Sequence, residues 1–364
     1  MTLIKAAVCH GSKTDLIIEE IRLSAPEQDE IRVSVEACAI CHSDITYIDG
    51  GWSIEYPVVL GHEVSGQVAE IGPGTETELS IGDQVIVSLI RTCGQCLACK
   101  RGHDVACTGK LRLHEISPLE AKTGEVITHG LNTGGFAEEV VVHVSQCVPV
   151  PKDLPTNFAA LLGCGVMTGM GAVFNTAQVK SGDITVIVGC GGVGLSAIQG
   201  AKISEAEYVI AVDPLANKRE LAIKFGATHT FEPSEDLSEI IQETTGGHLA
   251  DFAFVSTAAP SAISMSMNLL SPMGALVLVG MPEDGVKTEF DPGLLAARNQ
   301  RILGSKMGTS RPHSDIPVMI DLWRDGKLDL ENMVSSTHSL ENINNALNEM
   351  RNGSVIRAVV CPGS

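Results

Sequence analysis

Four cysteines, Cys93, Cys96, Cys99 and Cys107, fall in one short stretch and are separated by two, two and seven residues. Four thiolates this close suit a tetrahedral zinc of the structural kind, with no ligand position left for a substrate. An iron–sulfur cluster is the competing reading, but the spacing fits neither ferredoxin pattern well. A second donor set is scattered. Cys41 lies in CHSD, His62 in GHEVSGQVAEIG and Cys164 in GCGVMTG. Two thiolates and one imidazole leave a fourth tetrahedral position open, as a catalytic zinc requires. Spacing alone does not join these three, and a single buried cysteine is in general a small hydrophobe. The surrounding glycines and the adjacent acids Asp44 and Glu63 favour the metal reading.

A third constellation, Gly189-Cys190-Gly191-Gly192-Val193-Gly194, fits G-x-G-x-x-G between an apolar strand and a helix. In that setting the glycines permit a tight turn and close backbone approach, and the helix N-terminus receives a pyrophosphate. Asp213 stands 19 residues beyond Gly194, at the end of the next apolar strand. A carboxylate there is placed for the adenosine ribose hydroxyls and repels a 2′-phosphate, which predicts NAD rather than NADP. Lys218, five residues further on, is within reach of the same ribose.

These groups need elements to hold them. Up to about residue 150 the chain reads as short β-segments (IRVSVEA, QVAEIG, DQVIVSL, EEVVVHV) broken by Gly, Pro and Asp. A helical stretch around Asn157–Leu162 follows. Then ITVIV, YVIAV, DFAFV and ALVLV alternate with helical segments, the pattern of βαβ units and a parallel sheet. Two amphipathic helices, 316–325 and 340–351, and a closing strand IRAVV end the chain. The fold class is therefore α/β with two domains, the second inserted before the first is completed.

The composition sets limits. The chain has 364 residues, of which 44% are hydrophobic and 19% charged, with 25 Lys+Arg against 44 Asp+Glu. The formal charge of −19 gives no basic footprint for nucleic acid and would be repelled by an anionic membrane surface. No apolar run reaches membrane-spanning length, and the start lacks the basic and hydrophobic regions of a signal peptide. Eleven cysteines, an odd number, without such a signal imply reduced thiols and a cytoplasmic protein.

The motif Gly61-His62-Glu63-x2-Gly66-x5-Gly72, the four-cysteine loop, the glycine-rich turn and Ser354-Val355-Ile356-Arg357 together resemble the zinc-dependent medium-chain alcohol dehydrogenases, nearly end to end. The resemblance implies a GroES-like, mainly-β catalytic domain over 1–165, completed by 306–364, and a Rossmann doubly wound parallel-sheet coenzyme domain over 166–305. It implies two zinc ions per chain. Cys41, His62 and Cys164 would ligate the catalytic one, with Glu63 an acid beside it and Asp44 orienting His62. Cys93, Cys96, Cys99 and Cys107 would hold the structural one. Zinc would lower the pKa of the alcohol oxygen, Ser43 would take the alcohol proton, and hydride would pass to the nicotinamide. His42 and Arg357 would contact the coenzyme pyrophosphate. A homodimer is implied, since the stretch between Cys107 and Phe136 is not shortened as in the family's tetramers; a homotetramer is the alternative.

Two departures from the family pattern matter. The position five residues after Cys41, where many members carry the His that ends the proton relay, is Thr46. The relay would then finish through water or Tyr47. The loop before the GHE motif offers Trp52 and Ile54, with Glu55 its one nearby acid, where the glutathione-linked formaldehyde dehydrogenases carry acidic residues. With Leu89 and Phe136 near the expected pocket, a primary apolar or aromatic alcohol or its aldehyde is the expected small-molecule substrate. The alternatives are a dehydrogenase of S-hydroxymethyl thiol adducts and a catalytically silent NAD- and zinc-binding protein.

Overall fold

Apolar β-branched runs dictate the sheets. The computed structural model describes residues 1–363 and divides them into two units. One unit comprises residues 1–164, 311–325 and the described residues from Leu330 on; the other comprises Gly165–Ser310 and Gly326–Asp329.

In the first unit, strands Thr2–Cys9, Ile17–Leu23, Leu119–Ala121, Val126–His129 and Val58–Val59 close into a small barrel. Beside it lies a seven-stranded sheet. Its central strand, Glu30–Ala39, pairs antiparallel with Glu63–Ile71, Glu139–His143 and Arg357–Cys361. Glu30–Ala39 is buried at seven of its ten positions, as expected of a strand with partners on both sides and a core beneath it. The core runs from Val8 and Ile31 through Val64 and Val140 to Leu347 and Val360, so the C-terminal strand and helix complete the domain that the N-terminus begins. The central strand sets the metal ligands: its last residue, Ala39, pairs with Glu63 at the start of the neighbouring strand. Cys41 and His62 therefore leave adjacent strand ends.

The second unit is built on a six-stranded parallel sheet. Its order is His229–Phe231, Tyr208–Val212, Ile184–Val188, Ala250–Val255, Leu270–Leu278, Arg301–Gly304. In sequence terms this is third, second, first, fourth, fifth, sixth, the doubly wound dinucleotide-binding order. The first strand, ITVIV, is buried throughout and feeds the glycine-rich turn and the helix Gly192–Ile203.

The chain leaves this unit at Arg311, five residues later than the expected boundary at 306. The cause is local packing. Thr176 Oγ1 bonds the hydroxyls of Ser305 and Thr309 at 2.8 and 2.7 Å. Gly171 and Gly308 meet backbone to backbone, so closely that a Cβ on either would collide with the other. Among the described residues, no single helix is long and apolar enough to cross a membrane.

Candidate metal centres and dinucleotide turn

The scattered donors converge. Ligand atoms of Cys41, His62, Glu63 and Cys164 all lie within 4.8 Å of one another, and all four residues are buried. Asp44 makes this arrangement. Its carboxylate, fully buried, accepts the Cys41 N–H at Oδ2 (3.1 Å) and the Gly61 N–H at Oδ1 (3.0 Å). Oδ1 also takes His62 Nδ1 at 3.1 Å. One acid thus caps the short helix His42–Ile48 at Cys41, fixes the turn before His62, and sets the ring so that Nδ1 carries the proton and Nε2 a lone pair. Nε2 is buried and has no hydrogen-bond partner, and the same holds for Glu63 Oε1. A buried orphan acceptor is costly unless a cation takes it. Two thiols, a bare imidazole nitrogen and a bare carboxylate oxygen therefore fit zinc.

The electrostatics agree with that fit. A hydrogen bond from Cys164 and the neighbouring His62 hold the Cys41 thiol well below its ordinary pKa, against the opposing effect of burial. Sharing that proton, together with burial, pushes Cys164 up. Burial opposes charge on His62, yet Asp44 and Cys41 raise its imidazole well above the usual value, so a metal taken at Nε2 would displace a proton there. Burial also lifts Glu63 to about 7, with Arg357 restraining it. Arg357, expected at the coenzyme pyrophosphate, is only 3% exposed and pairs directly with Glu63. Sequence reading missed this contact because 294 residues separate the partners.

Of the remaining predicted residues in this unit, Ser43 is half-buried two positions after Cys41, and His42 is exposed. The Thr46 hydroxyl donates to the His42 carbonyl at 2.9 Å, an ordinary helix back-bond. Trp52 packs edge-on against Tyr47, ring centroids 5.2 Å apart. Leu89 and Trp52 are half-buried, and Ile54 packs on the core. Phe136, expected to line the substrate pocket, is fully buried within that core, where the Gly61 backbone leaves no room for a Cβ beside its ring.

The four-cysteine loop gathers as spaced. Its sulfurs lie within 4.8 Å of one another, with Cys96 Sγ 3.5 Å from Cys99 Sγ and 3.9 Å from Cys107 Sγ. Zinc–sulfur bonds of ~2.3 Å require tetrahedral edges of ~3.8 Å, so these separations suit one zinc ion. An iron–sulfur cluster, with several atoms between its cysteines, would hold them further apart. Backbone N–H groups of Cys93, Cys96, Cys99 and Gly109 point at the sulfurs. Those of Cys99 and Thr108 bring the Cys96 thiol down to about 5, whereas burial and its thiol neighbours push Cys99 up to about 12.

Gly109 is a second residue that sequence reading missed. A Cβ there would overlap both Cβ and Sγ of Cys93, and only its position two residues past Cys107 could have signalled it. The loop is anchored behind Cys93 by Arg91, which is 5% exposed. It donates to Gln146 Oε1 (2.7 Å), the Asn132 carbonyl (2.8 Å) and His129 Nδ1 (3.2 Å). His129 Nε2 in turn donates to the Thr133 carbonyl at 2.7 Å. The ring must stay neutral to do both, and burial beside a guanidinium lowers its pKa to about 3.

In the other unit, the glycine-rich turn is a backbone cradle. Gly189 has φ +96°, and a Cβ on Gly194 would overlap the Gly189 carbonyl. A Cβ on Gly191, the N-cap of the twelve-residue helix, would meet nothing within 4 Å. The space before the helix N-terminus is open, and Gly192 and Val193 begin that helix, so the turn fits a dinucleotide pyrophosphate. Asp213 is 8% exposed and accepts the Cys190 N–H at 2.8 Å and the Leu215 N–H at 2.9 Å. It stands against the turn itself. Lys218 is buried on the following helix, where desolvation lowers its pKa against the pull of Asp213.

Comparisons with known proteins agree with this geometry. Residues 27–152 match the alcohol dehydrogenase GroES-like domain, and 192–325 match the zinc-binding dehydrogenase domain. The chain is 32% identical to an NDMA-dependent alcohol dehydrogenase of Amycolatopsis methanolica over 98% of each chain. It is 34% identical to a probable S-(hydroxymethyl)glutathione dehydrogenase of Schizosaccharomyces pombe, covering 98% of this chain and 96% of the relative. The crystal structure of benzyl alcohol dehydrogenase from Acinetobacter calcoaceticus superposes with a TM-score of 0.92 at 31% identity, over 99% of both chains. A GroES-like unit bearing zinc-type donor sets, a Rossmann unit and these relatives together place the chain in the zinc-dependent medium-chain alcohol dehydrogenase family, as an alcohol oxidoreductase using zinc and NAD(P).

Proposed function

We propose that the protein oxidises a primary alcohol with an apolar or aromatic substituent, or reduces its aldehyde, with NAD as coenzyme. One zinc is assigned to Cys41, His62 and Cys164, a second to Cys93, Cys96, Cys99 and Cys107. The observation that carries the reading is the buried, unpartnered Nε2 of His62 set among two thiols. When bound, zinc acts as a Lewis acid on the alcohol or aldehyde oxygen, and the nicotinamide exchanges the hydride.

The chain's own residues do the rest. Asp44 holds His62 and the Cys41 turn in place. Ser43 is assigned to take the alcohol proton, since its neighbour Cys41 brings it to the donor set. Thr46, whose hydroxyl is engaged with the His42 carbonyl, is not assigned to that relay, and the proton is assigned to leave through water or Tyr47. The Arg357–Glu63 pair keeps a carboxylate charge tolerable beside the thiols. His42 remains assigned to the coenzyme. NAD is favoured by the Asp213 carboxylate at the end of the second strand, whose charge would repel a 2′-phosphate. The metal chemistry is assigned to the unit of residues 1–164, 311–325 and 330 onward, and coenzyme binding to the unit of residues 165–310 and 326–329.

An apolar pocket is supported by Trp52, Ile54 and Leu89 and by the benzyl alcohol dehydrogenase likeness. The second reading, a thiol-adduct formaldehyde dehydrogenase, is supported by the Schizosaccharomyces pombe relative. We assign a homodimer, on the family resemblance. A cytoplasmic location is assigned on the odd count of 11 cysteines, which suits reduced thiols.

The experiment is NADH formation by absorbance, with zinc-replete protein, across linear, aromatic and polyol alcohols and formaldehyde with and without glutathione. Turnover of aromatic or medium-chain alcohols without thiol is expected. Activity solely on formaldehyde with thiol would overturn the substrate assignment in favour of the second reading.

A further inference from the structure

We infer that Glu232 is a second determinant of coenzyme selectivity, acting through Arg219. The inference rests on the assignment of the coenzyme's adenosine half to the turn at Asp213. Strands Tyr208–Val212 and His229–Phe231 run parallel in register, with Val212 opposite Phe231. The next residue on each strand is an acid, so Asp213 and Glu232 leave neighbouring strand ends, joined by the bond from the Asp213 N–H to the Phe231 carbonyl at 3.2 Å.

Between them stands a cation from the following helix. Arg219 Nη1 donates to the carbonyls of Asp213 (2.7 Å) and Pro214 (2.9 Å). Its Nη2 lies 3.7 Å from Glu232 Oε2. The Asp213 carboxylate faces elsewhere, holding the N–H groups of Cys190 and Leu215. A guanidinium able to bind a phosphate in two-point fashion is thus already fixed to the backbone of the residue that sets the ribose site. Glu232 neutralises it.

Two consequences follow for the phosphate that distinguishes NADP from NAD. Removing the Asp213 charge alone leaves Glu232 to repel a 2′-phosphate and to hold Arg219. Removing Glu232 as well releases Arg219 to receive it. The pair is not an additive sum of two repulsions, since the second substitution turns a neutralised group into an attractive one. Glu232 is 68% exposed, so water and salt screen it and its single effect is modest.

The test uses 2′,5′-ADP and AMP as binding probes, by calorimetry, and NADP and NAD in steady-state kinetics on the intact zinc-replete enzyme. Glu232→Gln, a change on an exposed side chain, is expected to tighten 2′,5′-ADP about threefold with a smaller change for AMP. Asp213→Ser with Glu232→Gln is expected to exceed Asp213→Ser alone in kcat/KM for NADP by about tenfold. Adding Arg219→Ala is expected to abolish that gain. Unchanged 2′,5′-ADP affinity in Glu232→Gln, or a gain that persists without Arg219, would overturn the inference. A wild-type preference for NADP would sink the NAD assignment instead, and the dependence of Glu232→Gln on Arg219 would still decide the role of Glu232.

Discussion

Asp44→Asn removes the charge that positions the catalytic donor set while keeping the side chain's shape. Asp44 is fully buried, and its two oxygens serve three donors: Gly61 N–H at 3.0 Å, His62 Nδ1 at 3.1 Å and Cys41 N–H at 3.1 Å. An amide has one oxygen and one NH2 group. If the oxygen keeps Gly61 and His62, the NH2 faces the Cys41 N–H, donor against donor; if it is turned, two donors are left facing it. An orphaned buried donor costs ~1–3 kcal/mol and a bond to a charged acceptor contributes ~1.5–3 kcal/mol. The least unfavourable arrangement therefore costs about 3 kcal/mol, concentrated on two metal ligands. Loss of a partner behind a ligating His weakens metal binding by roughly 10–100-fold. Competition with a chromophoric chelator, followed by zinc determination on the separated protein, measures this directly. Asp44→Asn is expected to release one zinc at a chelator concentration at which wild type keeps two, while the four-cysteine zinc stays. Wild-type affinity for both zinc ions in Asp44→Asn would refute the reasoning, since Asp44 is the partner held to fix the His62 ring through Nδ1.

Further outcomes follow from the same geometry. Gly109→Ala forces Cys93 to move by about 1 Å, because the new Cβ starts well inside the ~3.5 Å contact distance; the lobe zinc should be lost, read as one zinc per chain by elemental analysis. Arg357→Met leaves Glu63 buried without its partner and should cost about 3–5 kcal/mol in urea unfolding, with Glu63→Gln added to Arg357→Met restoring a part. His129 has its pKa depressed to about 3, so the unfolded chain takes its proton first as pH falls. Its stability contribution is complete above about pH 6.5 and declines below it, by about 1.6 kcal/mol between pH 6.5 and 5. His129→Gln should flatten that part of the pH–stability curve, and an unaltered slope would count against the neutral-ring assignment.

What the sequence showed and what it hid follow from distance along the chain. The four-cysteine loop and the glycine-rich turn are local, so their spacing and their strand and helix context pointed to the chemistry directly. ITVIV and YVIAV were legible as parallel strands because burial on both faces demands continuous apolar runs. The convergence of Cys41, His62 and Cys164 was accessible through family likeness, not spacing, because it depends on the Ala39–Glu63 strand register and on Asp44. Arg357 shows the limit of motif reading. Its type and position suggested an anion partner at the coenzyme, and the fold adds one the motif did not show, Glu63. Phe136 shows the same for apolar residues, where pocket lining and core look alike until burial is known. The exit at Arg311 was displaced by Gly171 and Gly308, whose close approach leaves no periodic signal.

The most direct test joins metal content to turnover. Zinc per chain and NADH formation from benzyl alcohol are measured together for wild type and Cys164→Ser, with thermal unfolding to show that both are folded. Two zinc ions and turnover in wild type, against one zinc and no turnover in a folded Cys164→Ser, are expected. Undiminished turnover in Cys164→Ser, or a single zinc in fully active wild type, would contradict the assignment of Cys41, His62 and Cys164 as the catalytic centre.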